Sequence, residues 1–283
     1  MYKLRFNYTM AKRDIKIVIL FVLIITVLIG GWRLYNKLEK NKQSFSVDIY
    51  EYISPQAVTV ININREYNLD MLYQYDPSLR SLIGLLGGNL SFPTIISQDK
   101  DKASILVTKI EQEKEPEIAD YIKSYIAADF PPQKREYKDA IVWYFTQPDD
   151  KFLVCTFYKG MLAVSNYLRP IEIFIDSDSE NTFFSDENNI ELITKIRNST
   201  PVCIFTKVQD KTLALNYVPY NNSIQLTGYI LENKQKGVSD SIKLDYATIP
   251  LLMDLPDKMC IDSINVQNDS KLTSVKVFLN KKF

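Results

Sequence analysis

An uncharged apolar run from Ile17 to Trp32, reading IVILFVLIITVLIGGW, most constrains what this chain can become. A helix rises about 1.5 Å per residue, so roughly 20 apolar residues cross a hydrocarbon core. Ile15 and Tyr35 extend the run at its two ends, and the amine of Lys16 can reach the lipid headgroups. The run has no polar face, which argues against a helix of a soluble core. We predict a helix that spans the lipid bilayer over residues 15–35.

A cleaved signal peptide is the main alternative, because Lys3, Arg5, Lys12 and Arg13 precede the apolar run. Cleavage needs a pair of small residues before a polar mature start, whereas Gly30 and Gly31 here lead into Trp32 and Arg33. The sequence therefore favours an uncleaved signal anchor. A short basic N-terminus is normally retained in the cytoplasm while the chain after it is exported. We expect residues 1–14 to be cytoplasmic and the domain after the anchor to be extracytoplasmic.

Composition narrows the class of protein and of partner. Hydrophobic residues make up 46% of the chain and charged residues 24%, which are ordinary values for a globular protein. The 34 basic and 34 acidic side chains cancel. Because binding to phosphates usually requires a basic excess, we expect no nucleic-acid partner.

Beyond the anchor, the pattern of apolar residues predicts an α+β fold that is rich in antiparallel strands. We divide it into a stalk over 36–44 and two units over 45–175 and 176–283, packed as one extracytoplasmic domain. Whether the two units are related by duplication stays open, because their letters do not repeat. The strongest signal is a three-stranded meander from Ala140 to Ser165, whose turns contain Pro148-Asp149-Asp150 and Lys159-Gly160. We therefore expect the two units to form one β-rich domain with short helices.

Other elements follow from residue spacing. We predict helices over Glu115–Phe130, Arg169–Ile175 and 189–196, and two short helices that meet at Asp76-Pro77. An opening strand or extended entry is predicted at 45–53. Further strands are predicted at 57–63, 102–110, 202–208, 212–218, 223–231, 241–247, 259–266 and 272–279.

The basic N-terminus, the single anchor, the PQAVTVININ strand and the KFLVCTFYKGMLAVSN hairpin form one layout. This layout resembles uncharacterised membrane-anchored extracytoplasmic proteins of Bacteroidota-type bacteria. The resemblance implies a single-pass protein of the bacterial inner membrane whose C-terminal domain is periplasmic. It implies no specific activity.

Several catalytic classes are excluded by residue type. The chain has no histidine, which removes Ser-His-Asp and Cys-His catalysis and His-ligated zinc, and it has no glycine-rich phosphate loop. Ser97 and Lys100 have the S-x-x-K spacing of a Ser-Lys dyad, but a solvated loop explains them better. A pair of catalytic carboxylates, as in a glycoside hydrolase, stays an open alternative, because such a pair is formed by the fold and not by sequence spacing.

An acidic stretch after residue 175 resembles a calcium-binding loop. Asp176, Asp178 and Glu180 occupy positions 1, 3 and 5, and Glu187 occupies position 12, the bidentate place of an EF-hand loop. Asn181 stands at position 6, where glycine normally makes the turn. The alternative is an acidic loop that binds no metal, and we expect no other cofactor.

Three cysteines, Cys155, Cys203 and Cys260, each lie in an apolar, strand-like run. The simplest interpretation is three buried thiols, although an oxidising compartment would allow one disulfide and leave the pairing open.

The sequence thus favours a non-catalytic binding or scaffolding module with a protein partner in the envelope. Two alternatives remain: a histidine-free, carboxylate-dependent hydrolase of envelope glycans, and a module stabilised by calcium through the 176–187 loop.

Overall fold

The computed structural model describes residues 15–33, 47–75, 80, 83–84, 86, 91–111, 113–126, 131–147, 151–177, 180–185, 200–208, 211–220, 223–231, 249, 252, 259–269 and 272–281. The chain divides into two compact units, Met1–Ser44 and Phe45–Phe283. The basic segment 1–14 and the stalk 36–44 lie outside the described residues.

The described residues of the first unit form helix α1 (Ile15–Arg33), which is long and apolar enough to cross a membrane. Its side chains are exposed, and the hydroxyl of Thr26 donates a 2.8 Å hydrogen bond to the carbonyl of Val22. The side-chain polar group is therefore satisfied within the helix, as a lipid environment requires. This helix supports a membrane anchor or a signal sequence.

The described residues of the second unit form one antiparallel sheet of twelve strands. The strands are β1 (Thr59–Ile63), β2 (Thr94–Gln98), β3 (Ser104–Lys109), β4 (Gln133–Tyr137), β5 (Ala140–Gln147), β6 (Lys151–Tyr158), β7 (Met161–Ser165), β8 (Val202–Val208), β9 (Lys211–Pro219), β10 (Ser223–Leu231), β11 (Met259–Asp269) and β12 (Leu272–Lys281). The helices with described bounds are a 3₁₀-helix (Ile49–Tyr52), α2 (Asp70–Tyr75), α3 (Glu115–Ile126) and α4 (Leu168–Asp176). The α+β fold, with antiparallel meanders and short helices, is therefore confirmed.

The strand order is β11-β12-β10-β9-β8-β1-β2-β3-β7-β6-β5-β4. Strands from residues 59–165 form one half of the sheet, and strands from residues 202–281 form the other. The halves join where β1 pairs with β8, with Ile61 opposite Ile204. The two predicted units are thus two halves of a continuous sheet, and β4 and β11 are its edges among the described strands.

Each face of the sheet carries a hydrophobic core. On the first face, Leu72 of α2 and Ile118 and Ile122 of α3 belong to a cluster that includes Phe145 and Leu162. On the second face, the 3₁₀-helix, α4 and the pair Phe183 and Phe184 pack over residues such as Val60 and Phe205. The β1, β2 and β3 strands are buried on both faces, which explains why they read as continuous apolar runs rather than as alternating ones.

Gly228 allows β9 and β10 to approach closely. A Cβ at this position would lie 1.7 Å from the carbonyl oxygen of Ala214 on β9. Only glycine fits this contact, because any side chain would collide with the backbone of the neighbouring strand.

Most predicted elements are confirmed, with boundaries that differ by a few residues. The meander is β5, β6 and β7, and the helix at Arg169–Ile175 is α4. The predicted strand at 45–53 is wrong: Asp48 accepts a hydrogen bond from the backbone N–H of Tyr50 and caps a 3₁₀-helix instead. The predictions at Asp76-Pro77, 189–196 and 241–247 fall outside the described residues.

Two strands were not predicted. β2 contains Ser97 and Gln98, whose polar letters suggested a loop, and β4 reads QKREY, with no apolar alternation. Both are strands because their backbones pair with β3 and β5, respectively.

Candidate functional site

Asp176, the first residue of the proposed calcium loop, ends α4 and contacts the β4–β5 hairpin. Its Oδ2 atom accepts a 2.9 Å hydrogen bond from the hydroxyl of Tyr137, and its Oδ1 atom lies 2.5 Å from the amine of Lys138. The hydrogen bond from Lys138 is the main cause of the lowered pKa of Asp176, and the bond from Tyr137 adds to it. Both carboxylate oxygens are therefore already engaged within the protein.

Of the other three proposed calcium ligands, the structure describes one. Glu180 lies exposed in a turn, and Asp178 and Glu187 lie outside the described residues. Among the described residues, no three acidic or cysteine side chains come together as a metal site. Calcium binding stays a prediction, and Asp176 would have to exchange its present partners for the ion.

Ser97 and Lys100, the S-x-x-K pair, are separated by their local structure. Ser97 is buried in β2, so its assignment to a solvated loop is wrong, whereas Lys100 is exposed in the turn after the strand. No hydrogen bond joins the two side chains, although both residues are described. An S-x-x-K dyad works when both residues share one face of a helix, and a strand does not provide that spacing.

A shallow pocket lies on the second face of the sheet between β2 and α4. Ser54, Gln56, Ser97 and Asp99 supply its polar lining, and Pro170 and Ile173 of α4 supply part of its apolar wall. Asp99 is its one acidic residue, and the Oδ1 atom of that residue accepts 2.9 Å hydrogen bonds from the N–H groups of Asp101 and Ala103. A second carboxylate, which glycoside hydrolysis requires, is not among the residues that line this pocket.

Glu115, at the start of α3, shows the pKa change that a general acid needs. Partial burial alone raises the pKa of this carboxyl group. Glu115 is thus a partly buried acid whose raised pKa comes from desolvation.

The sequence analysis missed Lys207, the half-buried lysine of β8. Its amine donates a 2.6 Å hydrogen bond to the carbonyl of Pro55 and lies 5.0 Å from the ring centre of Phe183. Burial, together with the nearby charge of Lys100, lowers its pKa. Strand alternation in VCIFTKV places Lys207 on the same face as Cys203 and Phe205. This alternation was the sequence signal that Lys207 lies on a buried face. Its contacts tie the segment around Pro55 to Phe183, so they serve the fold.

The three cysteines form no disulfide. Cys155 faces the first core and Cys203 faces the second, so the sheet itself separates these two thiols. Burial raises the pKa of Cys155 to about 12 and raises that of Cys203 further. Cys260 is half-buried, and its Sγ atom lies 3.6 Å from the carbonyl oxygen of Asn280.

A partly exposed aromatic and cationic surface lies on the first face beside the β4 edge. Its central side chain is Trp143 of β5, and the amines of Lys123 and Lys134 lie 5.0 and 5.4 Å from the ring centre of this residue. Phe157 of β6 packs edge-on against the same ring, at 5.6 Å between centroids. Ile141 is 50% exposed and lies two residues along β5. We call these five residues the Trp143 surface.

The Trp143 surface has the composition of a protein-binding patch. Aromatic residues with nearby cations are enriched in interface cores, because the ring contributes apolar area and the amines recognise acidic groups. Sequence reasoning placed Trp143 in a sheet and assigned its neighbours no role. The cations come from α3 and β4, so only the tertiary structure brings them to one ring.

Comparison with known proteins finds structural likeness alone. No family model and no curated protein matches the sequence. Two crystal structures of TP0453 align with 83% of this chain at 7% sequence identity. Crystal form III is covered over 95% of its chain with a TM-score of 0.47, and crystal form I over 94% with a TM-score of 0.49. We carry no functional argument over from this likeness.

Proposed function

We propose that this protein is a single-pass protein of the bacterial inner membrane whose periplasmic domain binds or scaffolds another envelope protein without catalysis. Helix α1 supports the anchor, and the resemblance to Bacteroidota-type anchored proteins supports the location. In the proposed topology, the residues that follow α1 are exported. A reporter fused after Phe283 tests this orientation, because an active cytoplasmic reporter would contradict it.

The Trp143 surface is the observation that carries the binding role. It combines a half-buried tryptophan, two lysine amines and an isoleucine that is 50% exposed. An apolar centre with a cationic rim favours a protein segment that carries apolar and acidic side chains. The hydrolase alternative has weaker support, because it rests on the raised pKa of Glu115 alone.

The test is a pull-down of the intact protein from gently solubilised membranes. Residues 1–43 fused to an unrelated domain control for partners of the anchor. We expect at least one reproducible partner that requires the domain and that is lost with Ile141→Thr, which keeps a β-branched side chain but removes apolar area. Phe152→Thr is the matched control, since Phe152 is also 50% exposed but points to the other face of the sheet. A partner set unchanged by Ile141→Thr would contradict binding through the Trp143 surface.

A further inference from the structure

The edge strand β4 offers an unpaired side to another strand. β4 pairs with β5 on one side, and no described strand lies on the other. Its first four residues are exposed and Tyr137 is half-buried. In an antiparallel strand, alternate residues direct their N–H and C=O groups away from the paired neighbour. β4 therefore presents a row of backbone donors and acceptors that can form further hydrogen bonds.

The side chains of β4 are complementary to a second copy of the same strand. A two-fold axis perpendicular to the sheet pairs two identical strands antiparallel, and one residue then faces its own copy. With Arg135 on the axis, Lys134 faces Glu136 of the second copy, and Glu136 faces Lys134 of the second copy. Directly opposite side chains lie about 5 Å apart, and each pair of opposite charges contributes roughly 0.2–1 kcal/mol.

The neighbouring symmetric registers place like charges opposite each other. Centring the axis on Lys134 brings two lysine amines together, and centring it on Glu136 brings two carboxylates together. The Arg135 register also brings two arginines near the axis. However, each guanidinium lies 3.8 Å from the carboxylate of Glu172 on α4, which offsets its charge. One register is therefore selected by electrostatics.

Lys134 and Glu136, the charged residues that this register brings together, are both exposed. Within the described part of the chain, neither Lys134 nor Glu136 makes a salt bridge. The amine of Lys134 lies 5.4 Å from the ring centre of Trp143. Charged edge strands commonly prevent association with unrelated edges, and the same charges admit a partner that matches them.

We propose that a second copy of this chain docks antiparallel along β4, with the two-fold axis at Arg135, and continues the sheet into the second molecule. Five residues per strand bury less area than a stable soluble dimer needs. Confinement of both copies to one bilayer raises their effective concentration, so the dimer forms on membranes and dissociates in dilute detergent. This self-association goes beyond the proposed binding of another protein: it uses the free edge of β4, and Lys134 is the residue that it shares with the Trp143 surface.

The first experiment is disulfide crosslinking of the full-length protein in membranes. Cys260→Ser removes the half-buried thiol, and Arg135→Cys then places two thiols opposite each other at the proposed axis. We expect a disulfide-linked dimer after mild oxidation. Lys276→Cys, an exposed position on β12 inside the sheet, is the control and should crosslink several-fold less. Equal crosslinking at the two positions would overturn the proposal.

The second experiment exchanges the charges in the Arg135→Cys background. Lys134→Glu alone and Glu136→Lys alone should each reduce crosslinking several-fold. Each change places side chains of the same charge opposite each other at both contacts between residue 134 and residue 136. The double variant restores opposite charges and should restore the dimer, as should coexpression of the two single variants with different tags. Both sites are exposed, so thermal melting should be unchanged.

Equal crosslinking in all charge variants would overturn the register. Failure of the dimer leaves the pull-down test intact, because Ile141→Thr keeps both Lys134 and Glu136. Conversely, a dimer without a heterologous partner would contradict the proposed function but support the second copy as occupant of β4.

Discussion

The hydroxyl of Tyr137 donates a 2.9 Å hydrogen bond to the carboxylate of Asp176, and this bond joins the edge strand β4 to the last residue of α4. Lys138 binds the other oxygen of the same carboxylate, and Arg135 lies 3.8 Å from Glu172 one turn earlier in the helix. These contacts hold α4, on the second face, against β4, which has one neighbour among the described strands. The geometry of β4 therefore depends on charge as well as on backbone pairing.

Asp176→Asn should lower stability at neutral pH by less than about 1 kcal/mol, because the ion pair is largely exposed. The pKa of Asp176 is lowered in the folded protein from its ordinary value of 3.8. Its contribution is therefore fully present above pH 3.8 and is lost as the pH falls from there through the folded pKa. Urea unfolding of both proteins between pH 7 and pH 3 checks this. A difference that grows on acidification would contradict the assignment.

Calcium should raise the melting temperature if the 176–187 loop binds the ion. Asp176→Asn combined with Glu187→Gln should abolish the rise, because it removes the ligands at positions 1 and 12. Asp120→Asn is a control, since Asp120 is an exposed acid whose described ion-pair partner is Lys123, on α3. An equal calcium response in wild type and in the double variant would remove this loop as the site.

Cys260 should be the one thiol that reacts readily in the folded protein. Burial raises the pKa values of Cys155 and Cys203, which keeps both protonated and inaccessible at pH 8. A chromogenic disulfide reagent should therefore titrate about one thiol in the native protein and three after denaturation. Cys260→Ser should abolish the native reaction. Rapid labelling of Cys155 in that variant would show that the first core opens.

Gly228→Ala should destabilise the domain by about 3 kcal/mol or more, because the added Cβ would meet the backbone of Ala214 at 1.7 Å. Gly84→Ala is the matched control, since a Cβ there meets no atom within 4 Å and Gly84 lies in a helical segment. That change should be neutral or stabilising by up to about 1 kcal/mol. Chemical unfolding of the two variants measures the difference. Similar stability would show that β9 and β10 can separate at no cost.

Helices and strands with a clear local pattern of residues could be predicted from the sequence alone. An uncharged apolar run permits one structure in a lipid environment, so α1 could be read from Ile17 to Trp32 directly. The meander from Ala140 to Ser165 was equally clear, because its apolar residues alternate and its turns contain Pro148 and Gly160. The location of Lys207 on a buried face was also readable from strand alternation, although it was overlooked.

Features that depend on pairing between distant strands could be seen only in the tertiary structure. β4 is a strand because Arg135 lies opposite Val142 in the sheet, not because QKREY favours one. The pairing of β1 with β8, about 140 residues apart in the chain, merges two apparent units into one sheet and puts Cys155 and Cys203 on opposite sides of it. Lys123 and Lys134 meet at Trp143 for the same reason. Such contacts come from hydrophobic burial across the whole domain, and no local spacing of residues records which strands will become neighbours.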